Sequence, residues 1–176
     1  MKKLAIILLA LVASLSAYAQ REREGDFGLG LNLGIAPSLE KAAGATNIRN
    51  FGLGLRAQYN LSNPVRLEAN LNYWFKSNCF SMFDAMFNFH YVFDCSDKFA
   101  LYPIAGIGYA NVRWSDIYVE WEKLVDSGSV NRFAFNAGLG AEFAVGSSTS
   151  IFLEVKYQYL KNFQRLPVQI GVVQRF

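Results

Sequence analysis

The chain has 176 residues, the length of one domain. It is 52% hydrophobic and 15% aromatic but only 18% charged, against about 25% charged in ordinary soluble domains, so a conventional water-facing surface is excluded. The formal net charge is +3 with Lys and Arg scattered singly, which excludes a basic nucleic-acid-binding patch.

The first 19 residues read as a cleaved signal helix. Lys2 and Lys3 give a positive start, Leu4 to Val12 form a short apolar stretch, and Ala17-Tyr18-Ala19 is a small-x-small cleavage site before Gln20. The stretch is too short to cross a hydrocarbon layer of about 30 Å. No cysteine follows the cleavage site, so a lipid anchor there is excluded. The domain then runs over 20–176, and removal of Lys2 and Lys3 leaves 15 basic residues against 14 acidic.

From there the chain alternates with period two, the strand signature. The first run sets Phe27, Leu29, Leu31, Leu33 and Ile35 against Gly28, Gly30, Asn32 and Gly34. The second sets Phe51 to Leu61 against Gly52, Gly54, Arg56, Gln58 and Asn60. The third sets Val65 to Phe75 against Arg66, Glu68, Asn70, Asn72 and Trp74. The fourth sets Phe83 to Phe93 against Asp84, Met86, Asn88 and His90. The fifth sets Leu101, Pro103, Ala105, Ile107 and Tyr109 against Tyr102, Ile104, Gly106 and Gly108. The sixth sets Phe133 to Phe143 against Asn136, Gly138, Gly140 and Glu142. The seventh sets Ile151 to Tyr159 against Phe152, Glu154, Lys156 and Gln158. The eighth sets Val168, Ile170, Val172 and Phe176 against Gln169, Gly171 and Arg175. Each is near the 9–11 residues that cross a membrane at a tilt.

Bulk decides which face points inward. Eight strands enclose a space just wide enough for their own side chains. Fifteen Phe and nine Tyr do not fit there, whereas glycines and amides do. The apolar face is therefore outside, against lipid. The connections agree: 62–64, 94–98 and 146–149 are short, while 36–50 and 113–131 are longer. The expected fold is all-β, an eight-stranded antiparallel up-and-down transmembrane β-barrel. Both mature termini are expected in the periplasm and the longer connections outside the cell.

The Gly-x-Gly pieces (Gly28/Gly30, Gly52/Gly54, Gly106/Gly108, Gly138/Gly140) and the terminal aromatic Phe176 carry a resemblance. From Gly25 to Phe176 the chain resembles the small outer-membrane β-barrel family that includes the OmpA transmembrane domain and OmpX-type proteins. Gln174 departs from the apolar residue usual near the end of such terminal strands. The resemblance implies a monomer in outer-membrane lipid, inserted by the outer-membrane assembly machinery with Phe176 as part of the assembly signal. Family members serve as anchors, adhesion or resistance factors, narrow pores and, rarely, lipid-modifying enzymes, so it implies no single function.

The candidate chemistry lies on the inner face. Arg56, Arg66, Lys156 and Arg175 face Glu68, Asp84, Glu142 and Glu154, a balanced set suited to a narrow interior where an unpaired charge is costly. The turn at Ser62-Asn63 places Gln58 opposite Glu68 with Arg56 diagonal to it. This network is expected to be structural, with an ion path as the competing reading. His90, the single histidine, lies inward near the periplasmic end of its strand, with Glu68 and Glu142 as residues that could approach it. It is expected to be an interior histidine bonded within the network. No metal-ligand spacing or nucleophile–base pair is evident, so no cofactor and no catalysis are expected. Gly28-x-Gly30-x-x-x-Gly34 lies within a strand rather than before a helix, so it is not a dinucleotide fingerprint.

The connection 113–131 holds Trp114, Tyr118 and Trp121, with Ile117, Val119 and Trp121 alternating against Tyr118, Glu120 and Glu122. It reads as a ribbon extending beyond the membrane, a candidate surface for an extracellular partner. Cys79 and Cys95 fall at opposite ends of one strand and are expected to remain unpaired. The expected function is a structural or surface-interaction role without catalysis. A narrow pore for ions or small solutes is the alternative, and a lipid-modifying enzyme a third.

Overall fold

A computed structural model describes residues 24–39, 49–119 and 122–176. The leader lies outside the described residues, as does Trp121. Eight strands form the wall: β1 (Phe27–Pro37), β2 (Arg49–Ser62), β3 (Val65–Ser77), β4 (Phe80–Tyr91), β5 (Phe99–Trp114), β6 (Gly128–Ala144), β7 (Thr149–Leu160) and β8 (Val168–Arg175). Each pairs antiparallel with the next. β8 pairs back onto β1 through Gly28↔Arg175 to Ile35↔Val168, which closes the barrel. Closure leaves the wall without an open edge, as a strand protein in lipid requires.

Burial follows the pleat. In β2 exposed and buried residues alternate almost without interruption, and the same rhythm runs through the other strands. The exposed set is apolar: Leu31, Leu55, Ile107 and Leu139 are each more than half exposed. The buried set is largely polar, with Arg56, Glu68, Asn88, His90 and Glu154 all at 2% exposure or less. This inversion of the soluble pattern is stable only where the outer solvent is hydrocarbon.

The start of β1 and the end of β8, the described termini, lie at one end of the barrel, together with the connections around Asn63-Pro64, Cys95 and Ser147. At the far end lie the link from β1 to β2, the two-residue turn Asn78-Cys79, a hairpin of Ile117–Val119 with Glu122–Val125, and the connection 161–167. Asn78 and Cys79 have φ of 45° and 70°; two left-handed residues match the natural twist of a tight hairpin. β5 and β6 run on to Trp114 and Gly128, beyond the apolar band, so much of the segment read as a long loop is ladder. Both cysteines are free.

Candidate functional site: the barrel interior

Three tiers of charge cross the interior. Nearest the termini, Arg66 on β3 donates Nη1 to Glu142 Oε2 on β6 at 2.7 Å. Arg175 on β8 pairs with the other oxygen of Glu142 and donates to Ser150 Oγ at 2.6 Å. The Arg66 guanidinium lies 4.6 Å from the centre of the Tyr102 ring. His90 stacks on that ring, centroids 4.8 Å apart. Arg66 Nε donates to His90 Nδ1 at 3.3 Å, which leaves the proton of the neutral ring on Nε2, 3.9 Å from Glu68 Oε1.

The central tier turns on Arg56. Its Nη1 reaches Glu68 Oε2 at 2.8 Å and Glu154 Oε1 at 2.7 Å, and its Nη2 reaches Glu154 Oε2 at 3.1 Å. The guanidinium lies 3.6 Å from the centre of the Phe152 ring. Lys156 Nζ donates to Glu154 Oε2 at 2.8 Å, and the Tyr102 hydroxyl donates to Glu154 Oε1 at 3.0 Å. Glu68 also accepts from Gln58 at 2.9 Å and from Asn88 at 2.9 Å. Gln58 faces Glu68 in the ladder, and Glu68 lies between the two arginine tiers, beyond hydrogen-bond reach of His90.

The third tier, toward the far end, is built on Asp84. Its carboxylate accepts from Asn72 and from the Trp74 indole, both at 2.7 Å, and pairs with Arg165. Arg165 belongs to no strand. It sits in the connection 161–167, exchanges backbone hydrogen bonds with Gln158 and stacks over Trp74, 4.7 Å from the ring centre. Among the described residues the paired interior network therefore has five cations, not a balanced four: Arg56, Arg66, Lys156, Arg165 and Arg175 against Glu68, Asp84, Glu142 and Glu154. Arg165 carries no strand periodicity, so an inward position was not legible from the sequence. Its one signal is that Asp84 otherwise has amide and indole donors but no counter-charge.

The tiers repeat one construction: a guanidinium lies on an aromatic face while its edge holds a carboxylate. Glycines make room for the rings. A Cβ on Gly140 would stand 2.2 Å from the Tyr102 ring, and one on Gly171 would stand 2.4 Å from Phe152. Between the central and far tiers a gap of about 10 Å³ remains, bordered by Asn70, Asp84, Asn136 and Lys156, the space of about one water. Glu68, His90 and Glu154 each offer a ligand atom within 4.8 Å of the others, but Arg56 already holds both carboxylates, so a divalent ion there would have to displace it.

Trp114 is the last residue of β5; its indole donates to the Asp126 carbonyl at 2.9 Å and packs on Gly128, fastening the base of the far-end hairpin. Tyr118 lies in the first arm of that hairpin. Phe176 is 75% exposed, and its backbone N–H donates to the Phe27 carbonyl at 2.8 Å, at the seam where β8 meets β1.

A closed eight-stranded wall with rings outward and a paired polar interior defines an integral membrane barrel. Residues 5–176 match the family described as outer membrane protein beta-barrel domain, and the chain belongs to that family, which places it in the outer membrane. Similar solved structures include neisserial surface protein A (NspA), at TM-score 0.70 and 16% identity over 87% of this chain and 100% of that one. The attachment invasion locus protein Ail of Yersinia pestis aligns at TM-score 0.60 and 17% identity, covering 87% of this chain and 99% of that one. The N-terminal barrel of Pseudomonas aeruginosa OprF aligns at 0.61 and 14%, covering 88% and 100%. No curated protein sequence matches the chain.

Proposed function

We propose that this barrel serves a structural and surface-interaction role without catalysis and does not conduct. The observation that carries this reading is the cross-bracing of the interior by paired charges in all three tiers. Moving an ion through would require breaking buried pairs, at about 3–5 kcal/mol each. A pore would need a continuous wetted path, and the gap bordered by Asn70 and Lys156 holds about one water.

In this reading residues 1–19 are removed as a signal peptide, the mature monomer keeps both termini in the periplasm, and the assembly machinery recognises a signal ending in Phe176. The hairpin with Trp114 at its base is the surface for an extracellular partner. Ail, a protein of the same fold, has been crystallised in complex with the heparin analogue sucrose octasulfate, which is in keeping with a ligand-binding role. The test is single-channel recording of the purified barrel in planar bilayers. The expected trace is flat; resolved conductance steps would replace this reading with the narrow pore. A change in the mass of membrane lipids on overexpression would replace it with the lipid-modifying enzyme.

A further inference from the structure

The outer wall is not uniformly convex. Across β3 to β6 lies a groove of about 500 Å³, within the roughly 300–1,000 Å³ range of small-molecule sites. Its floor is made of small residues, Ala69 and Ala85, and its sides of Phe87, Tyr109, Phe133 and Phe135. The register explains the shape. Ala85 pairs with Tyr109, which pairs with Phe133, while Ala69 pairs with Phe87; small residues on two strands stand beside large ones on the next. Tyr109 and Phe133 meet edge to face, centroids 5.9 Å apart, which fixes one wall. Four strands at about 4.8 Å spacing give it a width of roughly 14 Å.

The groove ends where the apolar band ends. One register line farther from the termini, the outward positions are Asn111 and Asn131, and one line farther still are Arg113 and Ser129. Asn111 Nδ2 donates to Asn131 Oδ1 at 2.6 Å, and Arg113 Nε donates to Asn111 Oδ1 at 2.7 Å. This relay bends the arginine toward the groove. Among the described residues Arg113 has no carboxylate partner, unlike the interior arginines. An apolar trough in lipid, capped by a cation at the polar boundary, is complementary to an amphiphile with an anionic head.

We infer that the β3–β6 groove is a binding site for one phosphate-bearing lipid of the leaflet at the far end. An acyl chain lies over Ala69 and Ala85 between the rings, and the phosphate accepts hydrogen bonds from Arg113 with Asn131 beside it. Bulk lipid also wets the wall, but the groove and the cation together select for the charged species.

Native mass spectrometry of the full mature chain tests this, after exchange into mild detergent with equal lipid A and phosphatidylcholine. The wild type is expected to carry one lipid A in preference to phosphatidylcholine. Arg113→Gln should lower that preference about tenfold, the worth of a charge-assisted hydrogen bond, and Arg113→Lys should retain most of it. Ala85→Leu, which fills the floor, should lower uptake of both lipids. Heat-shifted migration on gels confirms that each variant is folded. Equal preference in wild type and Arg113→Gln overturns the site. A protein dimer in place of bound lipid overturns it too, since the groove would then be an interface between copies.

Discussion

Arg56 illustrates why single side chains matter more inside this barrel than on its wall. It holds two carboxylates and lies on a ring. Arg56→Met leaves Glu68 and Glu154 buried with one cation, Lys156, on Glu154 alone. Removing one partner of a buried pair costs about 3–5 kcal/mol, so the midpoint of urea unfolding in detergent should fall sharply. Adding Glu68→Gln should recover part of that loss, because the carboxylate left without a cation is then gone. A double variant no more stable than Arg56→Met would show that the two residues are not coupled. Replacing Leu31, which is 63% exposed to lipid, by Ile should by contrast leave the midpoint nearly unmoved.

At the scale of elements, the connection 161–167 behaves as a clasp. Arg165 ties it to Asp84 and Trp74 on the opposite wall, while Leu39 and Leu166 exchange backbone bonds with Gln164 and Pro37. Arg165→Ala is expected to free this connection, so protease added to intact cells should cut near Lys161 in the variant and not in the wild type. The seam between β8 and β1 is a second such element: deleting Phe176 removes its backbone bond to Phe27 and should reduce the amount reaching the outer membrane. Normal levels of the deletion variant would count against Phe176 as part of the assembly signal. The strands themselves were legible because alternation is local, and the facing of Gln58 and Glu68 because a short turn sets register. What was not legible is any contact across the lumen. Arg56 to Glu154 joins β2 to β7, and which residues meet there depends on how the closed sheet is staggered, which no stretch of sequence encodes alone. Arg165 was missed for a related reason: an irregular connection has no period from which to read its facing.

The whole molecule has two ends that chemistry can tell apart. Cys79 stands at the far end and Cys95 at the end with the termini, both free, and the 12 residues of β4 between them span about 40 Å at ~3.3 Å per residue. With the termini periplasmic, a membrane-impermeant maleimide added to whole cells should label Cys79 and spare Cys95, and breaking the cells should expose Cys95. Labelling of Cys95 in intact cells would reverse the proposed orientation.

The three interior tiers also bear on how the molecule comes into being. Arg66 bonds β3 to β6, Arg56 bonds β2 to β7, and Gln169 on β8 reaches Asn72 on β3. None of these links exists in an open, unrolled sheet, whose polar face would carry its charges without their partners. Growing the sheet strand by strand therefore yields little of the interior's bonding until β8 finds β1, whereupon many distant links form at once. Closure is the decisive, all-or-none event, and a half-built barrel is a species that the chain itself disfavours.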